Sequence, residues 1–586
     1  MSTRAWPELM VEELFRCGLD TYFIAPGSRS TPLVSAIARH PHAKKIVHFD
    51  ERGTAFAAIG YARFTGRPAA WVTTSGTAVA NGLPAVVESS IDNIPLLLLT
   101  ADRPPELRDT GANQTILQSG IFGSYVRWFF DISVQDQKTD PAFVLTTMDH
   151  AIHRCLSEPG PVHINCMYRK PLELGGINSG VTDGDPIPGL KNWSEGSRPY
   201  THYDHAALRC TDIDAASRTI DTALHASHRP VFLLGGGMRK DVEILIADWA
   251  AQRQIPVFPD IGSSLRLNPG STSVIPHWVV AGDGRYTDTE LPDLIIQFGP
   301  RIVSTKWDKA VAADSDIIKI VVAPGNQRID PDHNVSARIT VDSEGTAALI
   351  RNLHVPEPRK NTWLNSWIES SKTVSEELRA IAFGKSSNLS EEIVAYLLPD
   401  LLPADSVLMI GNSLSVRHVD QWGGSSTKQV MSVISRGTSG IDGTIAQAVG
   451  LHVASGKPTA VLLGDQSLLH DLNSLAMVNG RQILVVVVNN DGGRIFHQLP
   501  ISEQRDVFEP LFVNSQGINF EHAAAQFGIN YVAARTLEEF RQAMERFLML
   551  PESLMIEVPI DYDRNESLRS LLDNRIAVAL SSSSGE

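Results

Sequence analysis

The sequence predicts an α/β protein of three domains, each built on a mostly parallel sheet flanked by helices. Its 586 residues exceed what one hydrophobic core supports and fit three domains of about 150–200 residues. Short, continuously apolar runs recur between helical stretches, which is typical of strands covered on both faces by crossover helices. With 43% hydrophobic and 20% charged residues, the chain has the composition of a folded soluble protein.

Two polar stretches, 175–199 and 355–389, separate these runs into three series. We therefore expect domains at 1–180, 200–355 and 385–575, with the first and third series as candidates for distant structural duplicates. The predicted strands are 21–25, 69–74, 95–101 and 161–166 in the first series; 230–234, 255–258, 293–298 and 317–322 in the second; and 407–410, 459–463, 483–488 and 554–558 in the third.

Composition and charge exclude several classes of function. The formal net charge of −15 argues against nucleic-acid binding, which usually needs a basic face. The four cysteines are scattered without a CxxC pair, so we expect neither a zinc site nor a disulfide framework, and a reducing cytoplasm fits. No window approaches about 18 uninterrupted apolar residues, so no integral membrane segment is expected. A small-molecule partner is favoured.

The clearest functional signal is a pair of polar strand ends in the third series. Residues 464–467 (GDQS) follow one predicted strand, and residues 489–492 (NNDG) follow the next. Their separation fits one crossover helix and a strand, which places both at the same edge of a parallel sheet. The Asp465 carboxylate, the Asn490 amide oxygen and the Gly492 carbonyl would suit Mg²⁺, completed by diphosphate and water oxygens. The alternative is two capped strand-terminal turns.

This pattern resembles the thiamine diphosphate motif, GDG followed by NN, with Gln466 in place of the last glycine. A helix beginning near Ser467 would direct free N–H groups at the diphosphate. The other half of such a site should be a carboxylate, and Glu51 within residues 48–53 (HFDERG) is the candidate. Thiamine enzymes use such a glutamate to hydrogen-bond the aminopyrimidine ring and favour its imino tautomer. The alternative is a solvated turn.

Two further glycine-containing segments extend the resemblance. Residues 435–443 (SRGTSGIDG) carry glycines that permit close approach of the backbone to a flat ring, and Ile441 could be the apolar wedge that bends the coenzyme. Residues 74–81 (TSGTAVAN) follow a predicted strand and resemble the pyrimidine-side loop of thiamine enzymes.

Six segments together resemble one family, the 2-succinyl-5-enolpyruvyl-6-hydroxy-3-cyclohexene-1-carboxylate synthases. The resemblance covers the first and third series and is weak in the middle. It implies that domain 1–180 binds the pyrimidine, that domain 385–575 binds the diphosphate, and that 200–355 is a central domain. The segments are IAPGSRSTPL at 24–33, TADRPPEL at 100–107, GANQ at 111–114, GNSLSVR at 411–417, SRGTSGIDG at 435–443 and NNDGGRIFHQL at 489–499.

The resemblance implies a reaction and its cofactors. Thiamine diphosphate with Mg²⁺ or Mn²⁺ would support decarboxylation of 2-oxoglutarate and conjugate addition of the succinyl-semialdehyde unit to isochorismate, in menaquinone or phylloquinone biosynthesis. It also implies a homodimer or homotetramer with active sites between chains. Implied cofactor contacts are Glu51, Ser75, Gly76, Ser439, Gly440, Ile441, Gly464, Asp465, Gln466, Ser467, Asn490, Ile495 and Phe496, with Asp465, Asn490 and Gly492 on the metal.

Implied substrate contacts include four arginines that, with Glu51, form the implied catalytic set. Guanidinium groups suit substrates that each carry two carboxylates, because they bind carboxylates through paired hydrogen bonds. Isochorismate would contact Ser28, Arg29, Arg103, Asn113 and Gln114; the 2-oxoglutarate portion would contact Ser413, Arg417 and Arg436; Leu499 would add an apolar wall, and Lys306 is the candidate from the central domain.

Three alternatives stay open at this point. Each arginine alone could be a surface ion pair. A related carboligase such as an acetohydroxyacid synthase would accept pyruvate instead. A non-enzymatic chain could keep the fold as a cofactor-binding module, although the presence of Glu51, Asp465 and Asn490 disfavours this.

Overall fold

The computed structural model describes residues 6–136, 138–173, 190–203, 212–282, 291–304, 317–325, 327–354, 362–384 and 389–583. Lys306 therefore lies outside the described residues, as does most of the polar stretch 175–199. The chain divides into two compact units. Unit 1 is Met1–His205, Ser435–Gly456 and His470–Asn479, and unit 2 is Ala206–Ile434, Lys457–Leu469 and Gly480–Glu586.

Unit 1 contains a six-stranded parallel sheet with the order β2-β1-β3-β4-β6-β5. The order reverses between β1 and β3, and open α/β sheets bind ligands beyond the carboxyl ends of strands at such a point. Its strands are β1 Thr21–Ile24, β2 Lys44–Val47, β3 Ala69–Thr73, β4 Leu96–Asp102, β5 Trp128–Ile132 and β6 Pro161–Met167. Its helices are α1 Trp6–Arg16, α2 Thr31–Arg39, α3 Glu51–Thr65, α4 Thr77–Ala80, α5 Leu83–Ile91, α6 Ala142–Ser157 and α7 Lys191–Glu195.

Unit 2 begins with a five-stranded parallel sheet with the order β11-β10-β9-β7-β8. The polar stretch 355–389 contains a 21-residue helix, α13, whose apolar side is buried in the core. The strands are β7 Pro230–Leu234, β8 Val257–Pro259, β9 Leu294–Phe298, β10 Ile318–Ala323 and β11 Val335–Thr340. The helices are α8 Ile213–Ala226, α9 Lys240–Gln252, α10 Trp278–Ala281, α12 Ser343–Arg351 and α13 Thr362–Ala382.

A third parallel sheet, also in unit 2, has the order β13-β12-β14-β15-β17-β16. This repeats the strand order of the first sheet, as expected for structural duplicates. The strands are β12 Val407–Ile410, β13 Met431–Ile434, β14 Thr459–Gly464, β15 Ile483–Asn489, β16 Asn530–Ala533 and β17 Leu554–Pro559. The helices along this part of the chain are α14 Glu391–Leu401, α15 Leu414–Trp422, α16 Thr444–Ser455, α17 Asp465–His470, α18 Leu475–Val478, α19 Arg505–Phe508, α20 Glu521–Gln526, α21 Leu537–Met549 and α22 Tyr562–Ser583.

The predicted fold class is confirmed, because all three sheets are parallel and flanked by helices. Every predicted strand lies within about two residues of an observed one. The strands that the sequence did not predict, β2, β5, β11, β13 and β16, all lie at the ends of their sheets.

Helix α16 belongs to unit 1, where it packs closely on α3. Two glycines permit this approach: a Cβ on Gly60 would lie 2.1 Å from the Gln447 carbonyl oxygen, and one on Gly450 would lie 2.0 Å from the Ala57 carbonyl oxygen. The contact fixes the helix whose first residue is Glu51. No helix in the described ranges is long and apolar enough to cross a membrane.

Candidate active site

Arg103 gathers several of the predicted site residues at the carboxyl ends of β3 and β4. Its Nη1 donates to Ser75 Oγ at 2.9 Å, and its Nη2 donates to the Asn113 carbonyl oxygen at 2.7 Å. Gln114 Nε2 donates to the Ser75 carbonyl oxygen at 3.1 Å. The predicted residues of three separate motifs therefore form one hydrogen-bonded cluster.

Arg29 is a second buried cation of this region. Its backbone N–H donates to Thr74 Oγ1 at 3.2 Å, and its Nη1 donates to the Tyr168 carbonyl oxygen at 2.8 Å. Among the residues that the structure describes, none hydrogen-bonds to its buried Nε. Burial and then the positive charge of Arg103 lower the pKa of Arg29. Within the described ranges no carboxylate forms an ion pair with Arg29 or Arg103. Asp102 is the one nearby negative charge described for both, and its carboxylate is paired with Arg108, so an anionic ligand would add compensating charge.

A buried glutamine that the sequence analysis missed supports the loop at Gly76. Gln118 Oε1 accepts from the Gly76 backbone N–H at 2.9 Å, while its Nε2 donates to the Ala101 carbonyl oxygen at 3.1 Å. Gly76 has a φ of +86°, which glycine adopts readily. Ser28, by contrast, is exposed in the short 3₁₀ turn Ser28–Ser30.

Glu51 is the first residue of α3 and is half-buried. Its Oε2 accepts a hydrogen bond from Asn81 Nδ2 at 3.1 Å. The neighbouring residues fix the helix start: Asp50 caps it by accepting from backbone N–H groups, and Arg52 Nη2 donates to the His470 carbonyl oxygen at 2.6 Å. The predicted cofactor carboxylate thus projects from a rigid helix end.

The loop that follows β13 is held by a buried glutamate on α5. Glu88 accepts from Ser435 Oγ at 2.6 Å, from the Gly437 N–H at 3.0 Å and from the Thr438 N–H at 2.7 Å. Arg63 Nη2 lies 3.3 Å from the same carboxylate. Burial opposes ionisation of Glu88, but Arg63 and these hydrogen bonds lower its pKa overall. Glu88 was not among the residues predicted from the sequence.

The remainder of this loop carries four predicted residues: Arg436, Ser439, Gly440 and Ile441. Arg436 and Ile441 are half-buried. Ser439 and Gly443 have φ values of +58° and +65°. A Cβ on Gly443 would lie 2.0 Å from Phe56 Cγ, so glycine is required for this path of the backbone.

The predicted metal ligands converge at the carboxyl ends of the adjacent strands β14 and β15. Asp465 Oδ2 accepts from the Gly492 N–H at 2.7 Å, and Asn490 Nδ2 donates to Glu391 Oε1 at 2.8 Å. Helix α17 begins at Asp465 rather than near Ser467 as predicted, because the strand passes into the helix without an intervening turn. Gln466 Nε2 makes only a long contact of 3.5 Å with the Asn514 carbonyl oxygen.

This donor set fits a hard divalent cation. Burial and then the charge of Asp491 raise the pKa of Asp465 to about 6. A cation would restore the charged carboxylate, and the Asn490 amide oxygen and the Gly492 carbonyl are also oxygen donors of the kind that Mg²⁺ and Mn²⁺ accept. Gly492 has a φ of +120°, and a Cβ there would lie 2.2 Å from the Val513 carbonyl oxygen.

The two adjacent asparagines have different structural roles. Asn489 Nδ2 donates to Glu557 Oε1 at 2.7 Å and to the Ile518 carbonyl oxygen at 2.9 Å, which anchors the loop to the sheet. Asn490 instead engages Glu391, whose carboxylate also lies 3.1 Å from His418 Nδ1. Neither glutamate was identified from the sequence.

The predicted 2-oxoglutarate residues Ser413 and Arg417 lie at the start of α15, after β12. Ser413 has a φ of +68°, and its carbonyl oxygen accepts from Arg417 Nη1 at 2.6 Å. Burial lowers the pKa of Arg417. Arg417 and Arg436 fall in different compact units, as do Asp465 and Glu51.

The predicted apolar wall lies just beyond the predicted metal ligands in the sequence. Ile495 and Phe496 belong to the 3₁₀ segment Arg494–Gln498, with Leu499 directly after it. Phe496 and Leu499 are 37% and 48% exposed, which is high for side chains of this size and leaves apolar surface available to a ligand. Among the other predicted cofactor residues, Gly464 is half-buried and Ser467 is buried.

Family models match three parts of the chain. The model described as "Thiamine pyrophosphate enzyme, N-terminal TPP binding domain" matches residues 6–121. "Middle domain of thiamine pyrophosphate" matches 187–424, and "Thiamine pyrophosphate enzyme, C-terminal TPP binding domain" matches 419–558.

Three similar proteins carry the name 2-succinyl-5-enolpyruvyl-6-hydroxy-3-cyclohexene-1-carboxylate synthase. That of Rubrobacter xylanophilus is 44% identical over 97% of this chain and 98% of its own length. That of Salinibacter ruber is 40% identical over 99% and 97%, and that of Chlorobium phaeovibrioides is 36% identical over 98% and 97%. These names support the synthase prediction over the acetohydroxyacid synthase alternative. Similarity along nearly the whole chain shows that it belongs to the 2-succinyl-5-enolpyruvyl-6-hydroxy-3-cyclohexene-1-carboxylate synthase family of thiamine pyrophosphate enzymes.

Proposed function

We propose that the chain binds thiamine diphosphate with Mg²⁺ or Mn²⁺, decarboxylates 2-oxoglutarate and adds the four-carbon unit to isochorismate, as a cytoplasmic enzyme of menaquinone or phylloquinone biosynthesis. The observation that carries the proposal is the convergence of Asp465, Asn490 and Gly492 at the ends of β14 and β15. Family membership and the two buried arginines Arg29 and Arg103 support the assignment of the substrates.

Asp465, Asn490 and Gly492 would hold the cation, and through it the diphosphate. Glu51 would share a proton with the pyrimidine ring, and its fixed position at the start of α3 supports this role. When bound, the coenzyme supplies a nucleophilic carbon and an electron sink for loss of CO₂. Ser439, Gly440 and Ile441 would line the ring. The remaining contacts proposed for the coenzyme are Ser75, Gly76, Gly464, Gln466, Ser467, Ile495 and Phe496.

Arg29 and Arg103 would hold the carboxylates of isochorismate. Both guanidinium groups are buried, and their described hydrogen bonds go to uncharged oxygens, so a dianion would supply the missing negative charge. Asn113 and Gln114 sit beside Arg103, and Ser28 lies next to Arg29. Proximity of the two cations would favour a ligand with two carboxylates over one with a single charge.

Ser413, Arg417 and Arg436 would bind the distal carboxylate of 2-oxoglutarate, with Leu499 and Phe496 as an apolar wall. Exclusion of water by this wall would favour carbon–carbon bond formation over protonation. Lys306 is retained as a candidate contact on the family resemblance alone.

We also propose that two chains share each active site, in a homodimer or homotetramer. Family resemblance supports this arrangement, in which Glu51 of one chain serves the coenzyme held by Asp465 of its partner.

The decisive experiment follows consumption of 2-oxoglutarate by purified protein with thiamine diphosphate and Mg²⁺. We expect rapid consumption and product formation only when isochorismate is present. Turnover of pyruvate in place of 2-oxoglutarate would indicate the acetohydroxyacid synthase alternative. Absence of turnover despite tight coenzyme binding would support a binding module instead.

A further inference from the structure

We propose that Glu391 is a positioning residue for the divalent cation, because its carboxylate fixes the rotation of the Asn490 amide. This inference rests on the proposed role of Asn490 as a metal ligand. A carboxylate can only accept hydrogen bonds, so the 2.8 Å contact must involve the Nδ2 of Asn490. Nδ2 and Oδ1 lie on opposite sides of the planar amide, so this contact turns Oδ1 away from Glu391 and leaves it free for the cation.

The need for such a partner follows from the chemistry of asparagine. An amide that rotates by half a turn presents N–H groups instead of an oxygen, and a cation cannot bind them. A buried acceptor on one side of the amide removes that alternative, since rotation would set Oδ1 against a carboxylate oxygen. Groups that orient metal ligands in this way typically change metal affinity by about 10–100-fold when they are lost.

Glu391 is itself rigidly held. It is buried at the first position of α14, where its backbone N–H donates to Asn565 Oδ1 at 2.9 Å. Its second carboxylate oxygen lies 3.1 Å from Nδ1 of the buried His418. The Ser390 side chain caps the same helix by accepting from the Ile393 N–H at 3.2 Å. Contacts on both sides therefore fix the carboxylate before any ligand binds.

The adjacent residue provides a matched control. Glu392 lies on the same helix and is also buried, but its polar neighbours are Ser390, His418 and Glu391 rather than Asn490. A substitution there perturbs the same helix and removes a buried acid without touching Asn490. Any effect that both positions share can be assigned to general destabilisation.

The test measures Mg²⁺ affinity by calorimetric titration of Mg²⁺ into protein that contains thiamine diphosphate. The thermal midpoint of each variant is measured as well. We expect Glu391→Leu to weaken Mg²⁺ binding by about 10–100-fold. Glu391→Gln should stay within about 3-fold of wild type, because its amide oxygen can accept from Asn490 while its N–H group donates to His418. Glu392→Gln should leave Mg²⁺ affinity unchanged.

Two further variants keep the test decisive. If Glu391→Leu does not fold, Glu391→Asp keeps the charge near His418 but withdraws the acceptor from Asn490, and it should also weaken Mg²⁺ binding. In an Asn490→Ala background, replacement of Glu391 should cause no additional loss, because Glu391 acts only through that amide.

The outcomes separate this inference from the proposed function. Wild-type protein that shows no Mg²⁺-dependent binding of thiamine diphosphate would overturn the function itself. Wild-type protein that binds both, with Glu391→Leu binding Mg²⁺ equally well, would overturn only the positioning role. Equal losses from Glu391→Leu and Glu392→Gln would also overturn it.

Discussion

Two loops at the ends of β13 and β15 carry predicted site residues, and each is held by a buried glutamate in a different way. Glu88 accepts from backbone N–H groups of loop 435–443 and pairs with Arg63. Glu391 accepts from one side chain of the loop after β15 and pairs with His418. The first glutamate therefore sets the path of a whole loop, whereas the second sets the rotation of a single amide.

This difference predicts how each region should fail. Loss of Glu88, which binds backbone N–H groups, should displace the whole loop 435–443 and lower the free energy of unfolding. Loss of Glu391, which binds one side chain of the loop after β15, that of Asn490, should leave this loop in place and lower the affinity for the cation. Stability and affinity are therefore the two measurements that separate the regions.

The largest expected effect tests whether Glu51 and Asp465 serve the same coenzyme. Glu51→Gln should lower kcat by about 10²–10⁴-fold with little change in coenzyme affinity, because it removes a proton-sharing group. Asp465→Ala should abolish Mg²⁺-dependent retention of the coenzyme. When the two inactive variants are unfolded together, refolded and assayed, part of the activity should return. No recovery, with mixed oligomers demonstrated by mass, would refute the sharing of sites between chains.

The next largest effect tests the backbone-binding glutamate. Glu88→Ala should remove the acceptor for two backbone N–H groups and leave Arg63 without one of its partners. Loss of one member of a buried pair costs on the order of 3 kcal/mol, so we expect a clear fall in the thermal midpoint together with a raised KM for 2-oxoglutarate.

Asp92→Asn is the matched control for this variant. Asp92 Oδ2 also accepts from Arg63, at 2.7 Å, but Asp92 does not belong to the set that binds loop 435–443. This substitution should lower the thermal midpoint slightly and leave KM unchanged. A raised KM of equal size in both variants would show that Arg63, rather than Glu88, controls the loop.

A smaller effect is expected at Gly492, a proposed metal ligand in the loop after β15. Gly492→Ala should weaken Mg²⁺-dependent coenzyme binding by about 10-fold, equivalent to about 1.4 kcal/mol. The Cβ of the new alanine would collide with the Val513 carbonyl oxygen and displace the carbonyl of residue 492, which is the proposed metal ligand. Gly480→Ala is the control, since Gly480 also has a positive φ, +74°, but open space around it. Equal binding losses in the two variants would point to backbone strain alone.

The central strands of all three sheets could be predicted, but among the strands at the ends of the sheets only the fully buried β8 could. β14 and β15 are almost entirely buried, so their sequences are continuous apolar runs. In β2 only Ile46 is buried, and every residue of β16 is partly exposed. Strands such as β2 and β16 have no continuous run of buried apolar residues to distinguish them from a loop, and their pairing depends on the rest of the sheet.

Candidate site residues that directly follow an apolar run or belong to a motif could be recognised from the sequence. The residues that support them could not, whether they lie in a helix (Glu88 and Glu391), in a loop (Gln118) or in a strand (Glu557). Asp465, Asn490 and Arg103 follow apolar runs, which places them at ligand-binding edges. Glu88 and Glu391 lie within helices and contact loops far away in sequence, across 349 and 99 residues respectively. Their surroundings look like ordinary helix sequence, so only the tertiary structure identifies them.

A third buried glutamate, Glu13 on α1, lacks the partners that stabilise the charged form of Glu88. Trp193 Nε1 and the Tyr200 N–H donate to it, but among the described residues no basic side chain pairs with it. Its carboxylate also faces Asp149, with Cys17 nearby. Burial and then the hydrogen bond with Asp149 raise the pKa of Glu13 to about 8, opposite in direction to Glu88.

The raised pKa predicts a pH dependence of stability. The folded chain keeps the Glu13 proton up to about pH 8, whereas the unfolded chain releases it near pH 4.5. The folded state therefore binds more protons between these values, and this group's contribution to stability falls as pH rises through that window, by at most about 1.4 kcal/mol per pH unit. Glu13→Gln cannot ionise, but its NH₂ group cannot accept from either Trp193 or Tyr200. The variant should therefore have a lower thermal midpoint at low pH and a flatter decline of the midpoint with pH. Parallel declines in variant and wild type would assign the dependence to other groups.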